Sequence, residues 1–167
     1  MTLIFLDTET TGLDPKRHEI WEIAYAVDNG PIRSAIVPHK FTNPDPKALA
    51  MNGYLDRAVD ANPDQFFESD LLDEITGATI VGANPAFDTA FLRARWNEAP
   101  WHHRLWDVEA YAAGVLALDS LKGMAGIAQT LRDLGADVPQ PDHSAAADVA
   151  ALRASFYALR TIAEAQR

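Results

Sequence analysis

The sequence contains no cysteine, few basic residues and no long hydrophobic run. The lack of cysteine excludes disulfide bonds and thiolate metal sites, so a reducing, cytoplasmic location is expected. No stretch reaches the roughly 18 consecutive apolar residues of a membrane span, and no association with a membrane is expected. With 14 Lys and Arg against 24 Asp and Glu, the chain lacks the basic face of a non-specific duplex DNA binder. Bound metal ions could still supply positive charge for a phosphate substrate.

The composition is that of one globular domain covering residues 1–167. Hydrophobic residues make up 48% of the chain, which excludes a disordered protein. Patterning predicts strands at residues 3–6, 19–27, 32–37, 79–82 and 105–108. It predicts helices at 63–76, 84–97, 109–116, 122–134 and 144–165, with short helical turns within 47–57. Strands followed by strand–helix units indicate an α/β domain with one mixed sheet between helices.

Two carboxylates come directly after the first apolar strand segment. Asp7 and Glu9 are two residues apart, so on a strand their side chains project from the same face. Ligands of open α/β sheets bind beyond the carboxyl ends of strands. Neighbouring acids repel each other unless a proton or cation intervenes, and Mg²⁺ prefers carboxylate oxygens. The pair therefore indicates a metal site, and a solvated strand end is the alternative.

Two more acids lie in predicted helices, and a histidine lies on the loop before one of them. Asp88 lies one turn into a helix, where the helix dipole favours an acid even without a function. Asp148 falls at the edge of the apolar stripe of the last helix, so its carboxylate faces the protein body. His143 precedes Ser144, a residue type that caps helices, and is placed on the loop that leads into this helix. From there it can swing toward the site that Asp148 lines.

These residues resemble the three motifs of the DnaQ-like 3′–5′ exonucleases. The segment FLDTETTGL, from Phe5 to Leu13, resembles the first motif, and NPAFD at residues 84–88 resembles the second. His143, followed five residues later by Asp148, resembles the third motif in its histidine (DEDDh) subclass. The family includes the proofreading subunit of bacterial replicative polymerases, oligoribonuclease and ribonuclease T. Three motifs in the right order over almost the whole chain make the resemblance specific.

The resemblance implies a ribonuclease H-like fold, with a central mixed five-stranded sheet that has one antiparallel strand and is flanked by helices. It implies metal-dependent 3′–5′ hydrolysis that releases nucleoside 5′-monophosphates from the 3′ ends of single-stranded DNA or RNA. The implied ligands of two divalent ions, Mg²⁺ or Mn²⁺, are Asp7, Glu9, Asp88 and Asp148. The implied general base on the attacking water is His143, and the catalytic set consists of these five residues. Two metal ions can stabilise the entering and leaving oxygens of a displacement at phosphorus. A neutral imidazole can accept a proton from the attacking water.

The resemblance further implies that the loop after Glu9 binds the terminal nucleotide, with Thr10 in contact with it and Leu13 against its base. A second segment, at residues 51–54, resembles one that closes over the same nucleotide. The implied substrate-binding residues are Thr8, Thr10, Leu13, Met51 and Asn52. The alternative for the second segment is a glycine-terminated helix end with Tyr54 packed beneath it.

Two other classes of function stay open at this point. One is a non-catalytic domain of the same fold that binds nucleic-acid ends or a polymerase, and the other is a metal-dependent phosphohydrolase of free nucleotides. The motifs do not separate DNA replication and repair from RNA processing. They also leave open a stand-alone enzyme, a homodimer and a subunit that works with a DNA polymerase in trans.

Overall fold

The computed structural model describes residues 1–58 and 68–167. Its strands are β1 (Leu3–Thr10), β2 (Ile20–Val27), β3 (Arg33–Ile36), β4 (Thr79–Gly82) and β5 (Trp106–Asp107). The helices in the described ranges are α1 (Pro46–Met51), α2 (Tyr54–Arg57), α3 (Glu68–Ile75), α4 (Pro85–Trp96), α5 (Val108–Val115), α6 (Gly123–Asp133) and α7 (Ala145–Ala165). The predicted start of a helix at residue 63 lies outside the described residues. None of the described helices combines the length and apolarity needed to cross a membrane.

The five strands form one mixed sheet in the order β3-β2-β1-β4-β5. β2 is antiparallel to both of its neighbours, whereas β1, β4 and β5 are mutually parallel. The predicted mixed five-stranded sheet with one antiparallel strand is therefore confirmed. Its central strand is β1, the strand that carries the first pair of carboxylates.

β1 is longer than predicted, because its polar second half is still part of the ladder. It pairs with β2 as far as Thr10, whereas β4 pairs only with residues 3–5. Asp7 and Glu9 thus lie inside the strand and not after it. Since β4 has already ended beside Phe5, the edge of β1 next to Asp7 is open on that side. This gap in the sheet is where the candidate site forms.

Helices cover both faces of the sheet, and the alternation of β1 decides which side chains meet which helices. On one face, Phe5 packs against Phe156 of α7, with the ring centroids 5.3 Å apart. On the other face, Leu6 belongs to a core that includes Phe91 of α4. Because side chains alternate along a strand, Asp7 and Glu9 share the α7 face with Phe5. Thr8 shares the α4 face with Leu6.

Side-chain caps fix where two helices begin. These are α5, which follows β5, and α7, which follows the loop that contains His143. The Asp107 carboxylate accepts hydrogen bonds from Glu109 N and Ala110 N, so β5 stops at Asp107 and α5 begins at once. Ser144 Oγ accepts a hydrogen bond from Ala147 N at 3.3 Å and caps α7. The cap fixes where α7 begins and hence the position of its first-turn acid, Asp148.

Candidate active site

Three of the four predicted acids form a compact cluster. One carboxylate oxygen from each of Asp7, Glu9 and Asp148 lies within 4.8 Å of the other two. Asp7 and Glu9 project from the α7 face of β1, and Asp148 meets them from the first turn of α7. Asp148 Oδ1 accepts hydrogen bonds from the backbone N–H groups of Asp142 at 3.1 Å and His143 at 3.3 Å. The last helix therefore brings its acid and the loop before it to the same point.

The fourth acid, Asp88, approaches the open edge of β1 from α4. It is 3% exposed, and its Oδ1 accepts hydrogen bonds from Thr8 N at 3.0 Å and Thr8 Oγ1 at 2.7 Å. It is not part of the three-residue cluster, but its charge is the largest influence after burial on the pKa of Asp7. A close contact sets its position, because a Cβ on Gly82 would lie 2.9 Å from Cβ of Pro85 at the start of α4.

The surroundings of all four acids oppose ionisation. Burial raises the pKa of Glu9 to about 8 and that of Asp88 to about 7. The pKa of Asp7 is well above its usual range, first because of burial and then because of the charges of Asp88 and Glu9. Burial also raises the pKa of Asp148, against the effect of its two backbone N–H donors. A group of buried and half-buried carboxylates that repel one another suits a hard divalent cation.

His143 lies on the loop before α7, where the sequence places it. Its backbone is left-handed, with φ of 62°, and its side chain is exposed. Its N–H donates to Asp148, and its carbonyl oxygen accepts a hydrogen bond from Arg57 Nη1 at 3.1 Å. The backbone of His143 is thus held at both ends beside the acid cluster.

Two of the predicted substrate-binding residues point into the protein. Both the N–H and the hydroxyl of Thr8 donate to Asp88, so this residue supports an acid from the α4 face. Thr10 Oγ1 donates to the carbonyl oxygen of Gly12 at 2.7 Å and holds the turn after β1. Their side chains therefore set the positions of neighbouring groups.

The other three predicted substrate-binding residues are two exposed apolar side chains and one buried amide. Leu13 and Met51 are large apolar side chains that are 73% and 62% exposed. Asn52 is 5% exposed, donates from Nδ2 to the carbonyl oxygen of Thr10 at 3.0 Å, and hydrogen-bonds Glu9 through its side chain. Its Oδ1 is buried without a hydrogen-bond partner. The other interpretation of residues 51–54, a helix end terminated by glycine, also fits the structure. Helix α1 ends just before Gly53, and the backbone of Gly53 is left-handed.

Sequence analysis missed Glu22 and Arg57. Glu22 lies directly across the ladder from Glu9, is 6% exposed and forms an ion pair with Arg57. Its Oε2 also accepts a hydrogen bond from Ala145 N at 3.2 Å, at the start of α7. Arg57 Nη1 donates to the carbonyl oxygens of Asn52 and His143. The available signal was an acid in the middle of a strand that is otherwise wholly uncharged, Ile20–Val27.

Comparison with known families gives one match that spans most of the chain. The family model RNase_T, described as Exonuclease, matches residues 4–156. A comparison with curated protein sequences gives no significant match.

Solved structures with the same fold include exonucleases of low sequence identity. An exonuclease I from Methylocaldum szegediense is 20% identical, with a TM-score of 0.70 over 96% of this chain and 40% of its own. The zinc-bound complex of E. coli exonuclease I with single-stranded DNA gives 20% identity, a TM-score of 0.72 and coverage of 96% and 40%. The nuclease domain of 3′hExo, a DEDDh family member bound to rAMP, gives 15% identity, a TM-score of 0.68 and coverage of 98% and 92%. The ribonuclease H-like fold is thereby confirmed, and the chain spans about 40% of the length of the exonuclease I chains.

Proposed function

The chain belongs to the RNase_T exonuclease family, and from this premise we propose that it is a 3′–5′ exonuclease acting on single-stranded DNA or RNA. Membership implies a nuclease that uses divalent metal ions. The observation that carries the finer proposal is the convergence of Asp7, Glu9 and Asp148 within 4.8 Å, with Asp88 behind them. His143 completes the set at the rim. The proposed products are nucleoside 5′-monophosphates, released one at a time.

The four acids are the proposed ligands of two divalent ions, Mg²⁺ or Mn²⁺. Carboxylate oxygens are the ligands that these ions prefer, and the mutual repulsion of Asp7, Glu9 and Asp88, which raises the pKa of Asp7, supports a site for added positive charge. When bound, such ions stabilise the entering and leaving oxygens of an in-line displacement at phosphorus. Thr8 supports this arrangement by holding Asp88 through two hydrogen bonds.

His143 is the proposed general base. A neutral imidazole accepts a proton near neutral pH, and the exposed ring can pass that proton to solvent. Its backbone N–H donates to Asp148, so the same carboxylate that joins the cluster also places the base. The backbone contact with Asp148 and the chemistry of the imidazole support a role in activating a water molecule at the edge of the acid cluster.

The terminal nucleotide is proposed to lie between Leu13 and the segment that ends α1. Leu13 and Met51 present exposed apolar side chains, which suit contact with a base. The unpartnered Oδ1 of buried Asn52 offers an acceptor for a nucleotide hydroxyl or amine. Thr10 holds the turn on which Leu13 lies. The DNA-bound exonuclease I and the rAMP-bound 3′hExo are consistent with a nucleic-acid substrate of either sugar.

The biological setting stays at the level of prediction. A DNA polymerase partner in trans, a homodimer, a cytoplasmic location, and roles in replication and repair or in RNA processing are consistent with this chemistry.

The test is a time course on 5′-labelled single-stranded DNA and RNA of equal sequence, with Mg²⁺ or Mn²⁺, resolved on a denaturing gel. The proposal predicts strands that shorten one nucleotide at a time and stay intact in EDTA. Strands that stay intact under every metal condition would contradict it and favour a binding domain. Consumption of free nucleoside triphosphates but not of strands would favour a phosphohydrolase.

A further inference from the structure

One guanidinium group joins the two backbone segments that flank the acid cluster. Arg57 Nη1 lies 3.0 Å from the carbonyl oxygen of Asn52 and 3.1 Å from that of His143. Asn52 ends the helix that is proposed to close over the terminal nucleotide, and His143 carries the proposed general base. The two residues are 91 positions apart in the chain, so their relative placement depends on a tertiary contact.

Arg57 is itself held by two residues of β2. Its Nη2 forms an ion pair with Glu22, and its Cζ lies 5.0 Å from the ring centroid of Trp21. Trp21 is the extra residue of β2 where the register shifts opposite Glu9 and Thr10, a bulge of the kind that redirects side chains next to active sites. Paired charge-assisted contacts and a flat aromatic surface leave the guanidinium little freedom.

Glu22 extends the same arrangement to the start of α7. Its second carboxylate oxygen accepts a hydrogen bond from Ala145 N at 3.2 Å, two residues after His143. The loop before α7 is therefore held from both sides by the Glu22–Arg57 pair. This support matters because His143 has a left-handed backbone, a conformation that non-glycine residues adopt only when their surroundings stabilise it.

We propose that Arg57 is a positioning residue that fixes the His143 loop relative to the nucleotide-closing segment. It acts through the two carbonyl oxygens, so that a nucleotide seated against Asn52 meets a correctly placed His143. This inference rests on the proposed exonuclease function. It assigns Arg57 no contact with the metal ions, and it assigns Glu22 the task of holding Arg57 and not that of a fifth ligand.

The experiment is a double-mutant cycle between Arg57 and His143, with kcat and KM measured for each variant. Arg57→Ala removes the guanidinium, and Arg57→Lys keeps the charge but cannot span both carbonyl oxygens and Glu22 at once. His143→Ala removes the ring that Arg57 is proposed to place, while it retains the carbonyl oxygen that Arg57 holds. Arg33→Ala is the matched control, since Arg33 also joins a strand to a helix through an ion pair, with Glu74.

The proposal predicts that each Arg57 variant lowers kcat about 10- to 100-fold, the loss expected from a misplaced catalytic group, with a smaller change in KM. In the His143→Ala background the same substitutions should change the rate less than about threefold. The rise in melting temperature on adding Mg²⁺ should persist in Arg57→Lys, and Arg33→Ala should behave as wild type.

Three results would overturn the proposal. Equal fold losses with and without the His143 ring would show that Arg57 acts independently of it. A loss confined to KM would make Arg57 a substrate contact, and loss of the Mg²⁺-induced shift would place its role in the acid cluster. Inactivity of the wild-type protein would instead refute the exonuclease function, which separates the two failures.

Discussion

Asp7 is surrounded by other acidic side chains, and their repulsion affects the stability of the metal-free protein. Its pKa is raised by burial and by the charges of Asp88 and Glu9, and the pKa of Glu9 rises to about 8. A carboxyl group with a raised pKa in the folded state binds more protons there than in the unfolded chain. Ionising it near neutral pH therefore destabilises the fold. Removal of one of these charges should relieve the repulsion even as it destroys the site.

Asp7→Asn should accordingly stabilise the metal-free protein at pH 8 while it abolishes nucleotide release. Each kcal/mol of relief corresponds to about 2–4 °C in melting temperature for a domain of this size. Thermal unfolding in EDTA measures the shift, and Asp119→Asn, at an exposed acid, is the control that should leave it unchanged. A lower melting temperature for Asp7→Asn would contradict this interpretation of the cluster.

His143→Ala should separate chemistry from metal binding. The substitution leaves all four acids in place, so the rise in melting temperature on adding Mg²⁺ should equal that of wild type. Turnover should fall by about 10²–10⁴, the usual contribution of a general base. His103→Ala, at another exposed histidine, should retain full activity. If His143→Ala loses the Mg²⁺-induced shift, the imidazole belongs to the metal site and is not the base.

Some residue roles could not be predicted from the sequence, because their partners are distant in the chain. Thr8 donates twice to Asp88, 80 residues away, and that contact exists only because β4 ends and leaves the edge of β1 open. The Glu22–Arg57 pair depends likewise on the bulge at Trp21 and on α2. The four acids and His143 could be predicted because each lies next to a local signal, namely the end of an apolar run or the start of a helix.

At the scale of elements, the site depends on how tightly α4 follows β4. Gly82 ends β4, and a Cβ there would lie 2.9 Å from Cβ and 3.2 Å from Cα of Pro85, the first residue of α4. Such contacts are too short to be tolerated without movement of the helix. Since Asp88 lies one turn into α4, a shift of the helix moves its carboxylate away from Thr8.

Gly82→Ala should therefore reduce activity at least about tenfold, because it displaces Asp88 by a fraction of an ångström or more. The control is Gly114→Ala in α5, where an added Cβ meets nothing within 4 Å. That substitution should stabilise the protein by about 0.5–1 kcal/mol through helix propensity and leave activity unchanged. Wild-type activity in Gly82→Ala would show that the position of α4 does not limit the site.

The order and type of the elements could be predicted better than their limits. Apolar runs identified β1, β4 and the buried stripe of α7, because burial imposes their pattern directly. The second half of β1 escaped prediction, since residues 7–10 are polar and their strand conformation comes from pairing with β2. β5 is shorter than predicted because Asp107 caps α5.

For the whole molecule, the clustered acids set the pH dependence of stability. The pKa values of Glu9 and Asp88 rise from their usual acidic range to about 8 and about 7, respectively. At pH values between the usual carboxyl pKa and these raised values, the folded state holds protons that the unfolded chain has released. The stability of the metal-free protein should therefore fall as pH rises through this window.

Thermal unfolding between pH 5 and 8.5 in EDTA should show this decline, and saturating Mg²⁺ should reduce it. At 100 times its dissociation constant, a cation at one site adds about 2.7 kcal/mol. The measurement is the melting temperature across the pH series with and without Mg²⁺. Stability that is flat or rises with pH in EDTA would contradict the raised pKa values.

The most direct test of the central claim uses two 5′-labelled single strands of one sequence, one with a free 3′ hydroxyl and one whose 3′ end is blocked by an inverted linkage. Both are incubated with Mg²⁺ and wild-type protein, with Asp7→Asn as the inactive control. The account predicts that only the free strand shortens, one nucleotide at a time, and that the released product is a nucleoside 5′-monophosphate. Cleavage of both strands, or release of a 3′-monophosphate, would contradict it.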